Sequence, residues 1–190
     1  MHDYIRLTEL VLIAPLAPIG LYHRLKAAQT KEAIDRRKEG WALLLGIRLV
    51  AFITLIQTYR GLSNSSDVAF LPEAVRLVGV GITAIAVAWL IWMFVSLGMN
   101  ITDTVVTRKQ SYFVDWGPYR YVRNPMYTGL LSLGIGLGLA LQDWTIFAGF
   151  TGVFILLALR TKREETYLIA RFGDQYRDYM SRVGRFFPAF

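Results

Sequence analysis

The chain has 190 residues, of which 54% are hydrophobic and 14% aromatic, and its mean hydropathy of +0.38 is too high for an ordinary soluble domain. It contains no cysteine, which excludes disulfides, thiolate nucleophiles and cysteine-ligated metals, and with only His2 and His23 as imidazoles we predict no metal site. The net charge of +7 lies in clusters beside apolar runs and not in a nucleic-acid-binding module, so we predict a membrane and no nucleic acid as the partner.

Five apolar runs follow one another along the chain, at residues 7–22, 41–59, 77–101, 126–141 and 144–159. A bilayer core requires roughly 17–25 helical residues, so the second and third runs are long enough and the others lie near the lower limit. We predict five transmembrane helices, the last two forming a tight hairpin that turns at Gln142 and Asp143. The fold class is then an all-α integral membrane protein with one domain over residues 1–190, in which residues 1–97 are structural and residues 98–190 carry the motifs.

Basic residues alternate between the two sides of these runs. They are concentrated between runs one and two, between runs three and four, and after run five, whereas the opposite side holds only Arg6, Arg60 and Arg76. This alternation is the positive-inside pattern, and it predicts an N-terminus outside and a C-terminus in the cytoplasm.

The tail after the fifth run has aromatic residues at helical spacing, Tyr167, Phe172, Tyr176 and Tyr179, with charged residues between them. A helix with one apolar and one charged face is typical of the membrane surface, and we predict a C-terminal interfacial helix. Within the second run, Arg48 is a charge in an apolar helix, which we interpret as a buried interhelical hydrogen-bond donor. A residue of a transport path is the alternative.

Two groups of polar residues flank the predicted hairpin. Arg123, Asn124 and Pro125 precede the fourth run, and Pro125 suits the first turn of a helix because its ring already has helical φ. Arg160 and Glu164 follow the fifth run and share a helix face because they are four residues apart. The hairpin predicts that the two groups are neighbours. The residue types and positions alone leave two interpretations open. The residues form a ligand site, or they form an ion pair within one helix together with basic side chains that anchor the helices at the membrane interface.

Over about residues 98–188 the chain resembles the isoprenylcysteine carboxyl methyltransferase family, which is related in this half to phospholipid N-methyltransferases. The resemblance rests on residue types and their spacing at Gly117, Tyr119, Arg123, Asn124, Pro125, Tyr127, Gly129, Arg160, Glu164, Glu165, Phe172, Gly173, Tyr176 and Tyr179. The family pattern usually reads Arg-His-Pro, whereas this chain has Asn124, which retains hydrogen bonding but cannot act as a titrating base.

The resemblance implies an integral membrane enzyme that uses S-adenosylmethionine. The family's cofactor contacts fall on Ser111, Tyr112, Phe113, Val114, Tyr119, Asn124, Pro125, Met126, Tyr127 and Glu164. Its substrate-contacting arginine falls on Arg160, which we predict as the catalytic residue that holds the acceptor. The expected acceptor is a prenylated or otherwise lipidic carboxylate, reached from the membrane, and the expected active site lies at the cytoplasmic face.

Three other functions remain open from the sequence. An N-methyltransferase for an aminophospholipid headgroup would use Arg160 to hold phosphate. An NADPH-dependent reductase of isoprenoid or sterol double bonds would require more spans and a phosphate-binding cluster. A non-enzymatic scaffold or small transporter would place its polar residues near the bilayer midplane, whereas here they concentrate at one interface.

Overall fold

The computed structural model describes residues 3–28, 41–63, 70–97 and 113–189. Every regular element within these ranges is a helix, and the helices are α1 Asp3–Ile13, α2 Leu16–Ala28, α3 Trp41–Ser63, α4 Glu73–Leu97, a 3-10 turn Gly117–Arg120, α5 Pro125–Leu141, α6 Trp144–Phe172 and α7 Asp174–Arg182. The all-α class is therefore confirmed.

Four stretches of the described chain are long and apolar enough to cross a bilayer: Asp3–His23, α3, α4 and α6. The first of these is interrupted at residues 14–15, directly before α2, where Pro15 cannot donate a helical hydrogen bond. Helix α5 is apolar but has 17 residues, which at about 1.5 Å per residue gives about 25 Å against the roughly 30 Å of a bilayer core. The predicted count of five spans is not confirmed; the structure supports four spans and one shorter apolar helix.

The core lies where α4 packs along α5. Gly79 of α4 and Gly136 of α5 face one another so closely that a Cβ on Gly79 would lie 2.6 Å from the Ala140 backbone nitrogen. Helix α6 packs on the other side of α5, α3 packs on α6, and α1 lies against α4. Glycine at the contact therefore brings α4 and α5 together at backbone distance, as small residues do in membrane helix pairs.

The predicted hairpin turn is confirmed. Helix α5 ends at Leu141, Gln142 takes the left-handed conformation with φ of 58°, and its amide oxygen accepts hydrogen bonds from the Phe70 and Leu71 backbone nitrogens at 2.8 Å. Asp143 then caps α6 by accepting from the Thr145 backbone nitrogen at 2.9 Å. These bonds satisfy backbone groups at the helix ends and join the turn to the start of α4.

The fifth run and the tail are organised differently from the prediction. Helix α6 continues without a break from Trp144 to Phe172, so Arg160 and Glu164 are interior to a long helix. The break comes at Gly173, whose φ of 58° favours glycine, and a separate short helix α7 follows it. The predicted amphipathic tail is therefore the end of α6 plus α7, with Tyr176 and Tyr179 buried on the inner face of α7.

The interpretation of Arg48 as a buried donor is wrong, because its side chain is exposed. Helix α3 packs through Thr54 and Thr58, which are buried, and through Ile47 and Val50. Arg48 is one residue from Ile47, about 100° around the helix at 3.6 residues per turn, and so lies off the packing face.

The glycine contact between α4 and α5 can be tested with two variants of one helix. Gly79→Ala places a Cβ against backbone atoms of α5, so we expect it to destabilise the protein by about 1–3 kcal/mol through overpacking. Gly81→Ala, two residues away with nothing within 4 Å of the added Cβ, is the control and should keep or slightly raise stability. The measurement is the melting temperature in detergent; equal values for the two variants would contradict the close contact.

Candidate functional site

The segment before α5 is folded by close packing on α4. Gly117, at the start of the 3-10 turn, has φ of 63°, and a Cβ there would lie 2.1 Å from the Ser96 Oγ, so both conformation and space favour glycine. The carbonyl of Pro125 accepts a hydrogen bond from the Trp89 ring nitrogen at 2.9 Å. Together these contacts fix the direction in which α5 leaves the turn.

A polar network joins the first turn of α5 to α6. The Tyr127 hydroxyl donates to Glu164 Oε2 at 2.7 Å, and Arg160 Nε lies 3.1 Å from Glu164 Oε1. The side chains of Arg160 and Glu164 are 10% and 21% exposed, so the ion pair lies largely inside the protein. Together with the ion pair of Arg123 and Glu165 at 3.1 Å, these contacts confirm the predicted proximity of the two polar groups that flank the hairpin.

A second network surrounds the next residue of α6. Glu165 is buried and binds Arg123, with Nη1 to Oε1 at 3.1 Å. It also accepts two hydrogen bonds from Arg185, from Nε to Oε1 at 3.0 Å and from Nη2 to Oε2 at 2.5 Å. This two-point geometry is the one in which arginine and carboxylate bind most strongly. The hydrogen bond to the Glu165 carboxylate raises the pKa of Arg185 above its ordinary value.

The C-terminal strap, residues 183–187, crosses the start of α5. The Arg123 backbone nitrogen donates to the Gly184 carbonyl at 2.8 Å. Both the backbone nitrogen and the side-chain Nδ2 of Asn124 donate to the Arg185 carbonyl, at 3.1 and 3.0 Å. The Thr128 hydroxyl donates to the Phe186 carbonyl at 2.8 Å. The strap is thus held by the same residues that begin α5.

An aromatic cluster holds α7 beneath the 3-10 turn. Phe113 lies 5.2 Å from the Tyr179 ring and 6.2 Å from the Tyr176 ring, and the Tyr179 hydroxyl donates to the Tyr119 carbonyl at 2.6 Å. Burial raises the pKa of the Tyr119, Tyr176 and Tyr179 hydroxyls, with neighbouring phenols or carboxylates adding to the shift. All three therefore remain neutral hydrogen-bond donors at physiological pH.

The predicted site residues fall around these networks. Tyr127 and Arg160 both contact Glu164 directly, as given above. Asn124 contacts the strap, Pro125 contacts Trp89, and the side chain of Met126 packs between the two apolar clusters of the helix bundle. Tyr119 lies in the 3-10 turn, and Phe113 and Val114 lead into that turn. Ser111 and Tyr112 lie outside the described residues.

Sequence reasoning missed the strap and the role of Glu165. Nothing in the pattern of residues 183–187 indicates that their backbone pairs with residues 122–124, since a single backbone pairing produces no periodicity. The one available signal was the acidic residue directly after Glu164 in a basic segment, because a buried acid beside basic residues is typical of a paired group.

The arrangement provides a carboxylate, a guanidinium and a phenol within hydrogen-bonding distance, where the first turn of α5 lies beside the second half of α6. Such a set can bind a small molecule that has both a positive and a negative group. Among the described residues no group of three His, Cys, Asp or Glu side chains could hold a metal ion. The Glu164 carboxylate and the Arg160 guanidinium are groups that bind charged organic ligands.

The strap depends on Glu165, and we expect Glu165→Gln to release it. Removing the anion leaves the buried Arg123 and the half-buried Arg185 without their carboxylate partner, and breaking such a buried pair costs about 3–5 kcal/mol. Trypsin should then cut after Arg182 or Arg185 faster than in the wild type, as measured by mass spectrometry of the released C-terminus.

The matched control for this experiment is Asp174→Asn. Asp174 also pairs with an arginine, Arg177, but the two side chains are 97% and 61% exposed, so loss of this pair should leave the cleavage rate nearly unchanged. Equal cleavage of the two variants would mean that the strap is held by its backbone hydrogen bonds alone.

Comparison with known proteins identifies the family. The family model for phospholipid methyltransferases matches residues 75–175, more than half of the chain, and this range contains the start of α5 and the α6 residues of both networks but not the strap. The matched range therefore includes Tyr127, Arg160 and Glu164.

Three relatives illustrate the range of similar proteins. The nickel-cobalt-cadmium resistance protein NccN of Alcaligenes xylosoxydans xylosoxydans is 28% identical over 149 residues, which are 78% of this chain and 62% of that protein. The protein-S-isoprenylcysteine O-methyltransferase of Schizosaccharomyces pombe is 30% identical over 92 residues, 47% of this chain and 39% of that protein. Methanethiol S-methyltransferase 1 of Bradyrhizobium diazoefficiens is 33% identical over 70 residues, 37% of this chain and 24% of that protein.

In each case the match spans less than two thirds of the relative's own length. Two of the three relatives are named as methyltransferases, and the matched family is also described as a methyltransferase family. This membership favours methyl transfer over the reductase and transporter interpretations. The chain therefore belongs to the phospholipid methyltransferase family of membrane methyltransferases, to which isoprenylcysteine methyltransferases are related.

Proposed function

We propose that the protein transfers a methyl group from S-adenosylmethionine to the carboxylate of a lipidic acceptor of the prenylcysteine kind. The observation that carries the proposal is the contact of Tyr127 on α5 with the Glu164–Arg160 pair on α6. It places a carboxylate and a permanently charged guanidinium side by side at the edge of an apolar helix bundle.

The residues present fit the proposed cofactor. Glu164 has a negative charge for the amino group or, less directly, for the sulfonium, and it is 21% exposed, so a ligand can reach it. The ring of Tyr119 offers a face for an adenine or a hydroxyl for a ribose, whereas the buried Tyr127 holds the Glu164 carboxylate through its own hydroxyl. When bound, S-adenosylmethionine supplies an electrophilic methyl group, and the electrons of the broken carbon–sulfur bond remain on sulfur as the new carbon–oxygen bond forms.

The role of the protein in this chemistry is binding and orientation. A carboxylate acceptor is ionised at neutral pH, so the site requires no general base, in agreement with the absence of cysteine and the scarcity of histidine. The Arg160 guanidinium is planar and permanently charged, and in this proposal it holds the acceptor oxygen that is not attacking. The Tyr127 hydrogen bond orients Glu164.

The site end of the molecule faces the cytoplasm in this proposal. Basic residues concentrate at the start of α5 and in the second half of α6, whereas the opposite side holds only Arg6, Arg60 and Arg76 among the described residues. Reporter fusions after residues 38, 109 and 190 should give a cytoplasmic signal, and a fusion after residue 65 an external one. An external C-terminus would contradict the orientation.

A second acceptor class follows from the family's description, since phospholipid methyltransferases are named for a lipid headgroup. An amine acceptor would have to lose a proton, and Arg160 would then bind the phosphate. The two acceptors can be compared directly by incubating purified protein with labelled cofactor and either small prenylcysteine analogues or aminophospholipids.

Cofactor binding is tested on Glu164 and Tyr127. Because a hydrogen bond to a charged group contributes about 1.5–3 kcal/mol, we expect Glu164→Gln and Tyr127→Phe to weaken S-adenosylhomocysteine binding by roughly ten- to a hundred-fold. The measurement is isothermal titration calorimetry in detergent.

The control is Tyr121→Phe, a hydroxyl of the same segment on a ring that is 48% exposed, which should bind as the wild type does. The melting temperature of each variant shows whether it is folded. Unchanged affinity in both site variants would place the cofactor elsewhere.

Variants of Arg160 test whether this residue holds the acceptor carboxylate. Arg160→Lys keeps the charge but loses the planar fork, and a misplacement of about 1 Å can cost on the order of 100-fold in rate. We therefore expect turnover of a prenylcysteine to fall by about that factor, and further in Arg160→Ala, while S-adenosylhomocysteine affinity stays close to that of the wild type.

Lys162→Ala is the control for this experiment, because Lys162 is an exposed cation on the same helix. It should keep normal turnover. Full turnover in Arg160→Ala would show that Arg160 only anchors the helix at the membrane interface. Loss of cofactor binding in that variant would show that Arg160 binds the cofactor and not the acceptor.

A further inference from the structure

A cavity lies at the hairpin end of the helix bundle, at the opposite end of α5 from the polar networks. Its volume is about 370 Å³, and its walls come from the end of α3 and from the turn between α5 and α6: Gln57, Arg60, Gly61, Leu141, Gln142, Asp143 and Thr145. Tyr127 and Leu141 are separated by roughly 20 Å along α5, at about 1.5 Å per residue. The cavity is therefore distinct from the site proposed for methyl transfer.

The cavity contains a carboxylate of fixed orientation. Asp143 Oδ1 accepts hydrogen bonds from the backbone nitrogen of Thr145 at 2.9 Å and from its hydroxyl at 2.6 Å. The other oxygen, Oδ2, faces Gly61, where an added Cβ would lie 3.7 Å from it and 2.9 Å from Ile146 Cδ1. Glycine at residue 61 thus keeps space open in front of Asp143 Oδ2.

A cation lines the same cavity. Arg60 belongs to the last turn of α3, and Gln57, three residues earlier on the same helix face, adds an amide. A guanidinium binds phosphate through its planar fork, and a carboxylate binds an ammonium group through charge-assisted hydrogen bonds. The wall residues therefore suit a ligand that has both a phosphate and an ammonium group.

Aromatic side chains place the cavity at the level of the lipid headgroups. Tyr59 and Trp144 are next in sequence to Arg60 and Asp143, and their side chains are 70% and 56% exposed. The Phe70 ring lies 6.3 Å from the Trp144 ring. Exposed tyrosine and tryptophan are typical of the interface between membrane and water, where headgroups are the most abundant ligands.

Apolar surface continues from the cavity toward the bilayer interior. Ile53 precedes Gln57 by four residues and Phe147 follows Asp143 by four, so each lies one helical turn deeper on the same face. Their side chains are 56% and 38% exposed. A ligand with its polar head in the cavity has apolar surface for hydrocarbon chains directly below, which favours a lipid over a soluble ligand.

We infer that this cavity binds the headgroup of an ethanolamine phospholipid, with the phosphate at Arg60 and the ammonium at Asp143. An anionic headgroup without an ammonium would leave its charge facing Asp143. A choline headgroup has three methyl groups in place of the N–H donors that a carboxylate binds. The bound lipid is a component of the surrounding bilayer and not the methyl acceptor, so the inference does not rest on the proposed function.

The first test measures lipid binding by native mass spectrometry of the purified protein in detergent, with dihexanoyl phosphatidylethanolamine, phosphatidylcholine and phosphatidylglycerol. We expect the ethanolamine lipid to bind about tenfold more tightly than the other two, the effect of one hydrogen bond to a charged group. Arg60→Gln should weaken the binding of all three lipids. Asp143→Asn should weaken the ethanolamine lipid and strengthen the glycerol lipid, because it removes an attraction from one and a repulsion from the other.

The variants include their own controls. Asparagine caps helices as well as aspartate does, so α6 should remain intact in Asp143→Asn. Arg48→Gln removes another exposed arginine of α3 and should bind lipid as the wild type does. Equal affinities for the three lipids, or unchanged affinity for the ethanolamine lipid in both Arg60→Gln and Asp143→Asn, would overturn the inference. Glycerophosphoethanolamine has the same headgroup without chains and should bind far more weakly; equal affinity would contradict a lipid site.

The second test locates the bound lipid and distinguishes it from a lipid acceptor at the polar network. Because the chain has no cysteine, Thr145→Cys and Thr166→Cys introduce single thiols at exposed positions near the two ends of α6. Dihexanoyl phosphatidylethanolamine should slow maleimide labelling at position 145 by about tenfold and leave position 166 unchanged. The same protection should be measured when Thr145→Cys is combined with Arg160→Ala.

These results separate the inference from the proposed function. Protection at position 145 without methyl transfer to any acceptor would support the headgroup site and contradict the proposed function alone. Absence of protection at position 145, or its loss in the variant with Arg160→Ala, would place the lipid at the polar network and overturn the inference, whatever the acceptor of the methyl group.

Discussion

The arrangement of the site depends on the binding of two arginines by Glu165. Arg123 comes from the segment before α5 and Arg185 from the strap, and both charges meet one buried carboxylate on α6. Transferring an ion from water into a protein interior costs several kcal/mol unless a partner of opposite charge is held at hydrogen-bonding distance. The three segments are therefore constrained together, because separation of any one of them would leave a charge without its partner. The place of Tyr127 on the first turn of α5, and hence its contact with Glu164, follows from this constraint.

Neighbouring positions on α6 serve different purposes as a result of helix geometry. Glu164 and Glu165 are about 100° apart around the helix, so one carboxylate faces Tyr127 and the other faces the strap. Glu164 remains 21% exposed and available to a ligand, whereas Glu165 is 7% exposed and fully engaged by arginines. A site with both a rigid support and an accessible charge can thus be built from two consecutive residues. Asn124 belongs to the support, since both of its donors bind the Arg185 carbonyl.

Much of this arrangement could be predicted from the sequence, and the limits have physical causes. Apolar runs indicate helices because a bilayer leaves few other ways to satisfy the backbone. The short turn at Gln142 and Asp143 makes α5 and α6 neighbours, which predicts that the start of α5 lies beside Arg160 and Glu164. The number of spans was less certain, because α5 is shorter than the bilayer core. The exposure of Arg48 was not predictable from hydropathy, since α3 is apolar on all sides and its packing face depends on α6. The strap was missed because its pairing with residues 122–124 joins segments about 60 residues apart.

The strap also couples the charged and apolar parts of the site. Arg185 and Phe186 are consecutive, so a backbone shift that withdraws the Phe186 ring from the apolar cluster around Tyr127 also strains the two bonds from Arg185 to Glu165. A movement of the strap would therefore act on the side chains around the polar network as well as on the apolar cluster. The apolar contacts of Phe186 and the alignment of the charged residues are in this way linked through one short piece of chain.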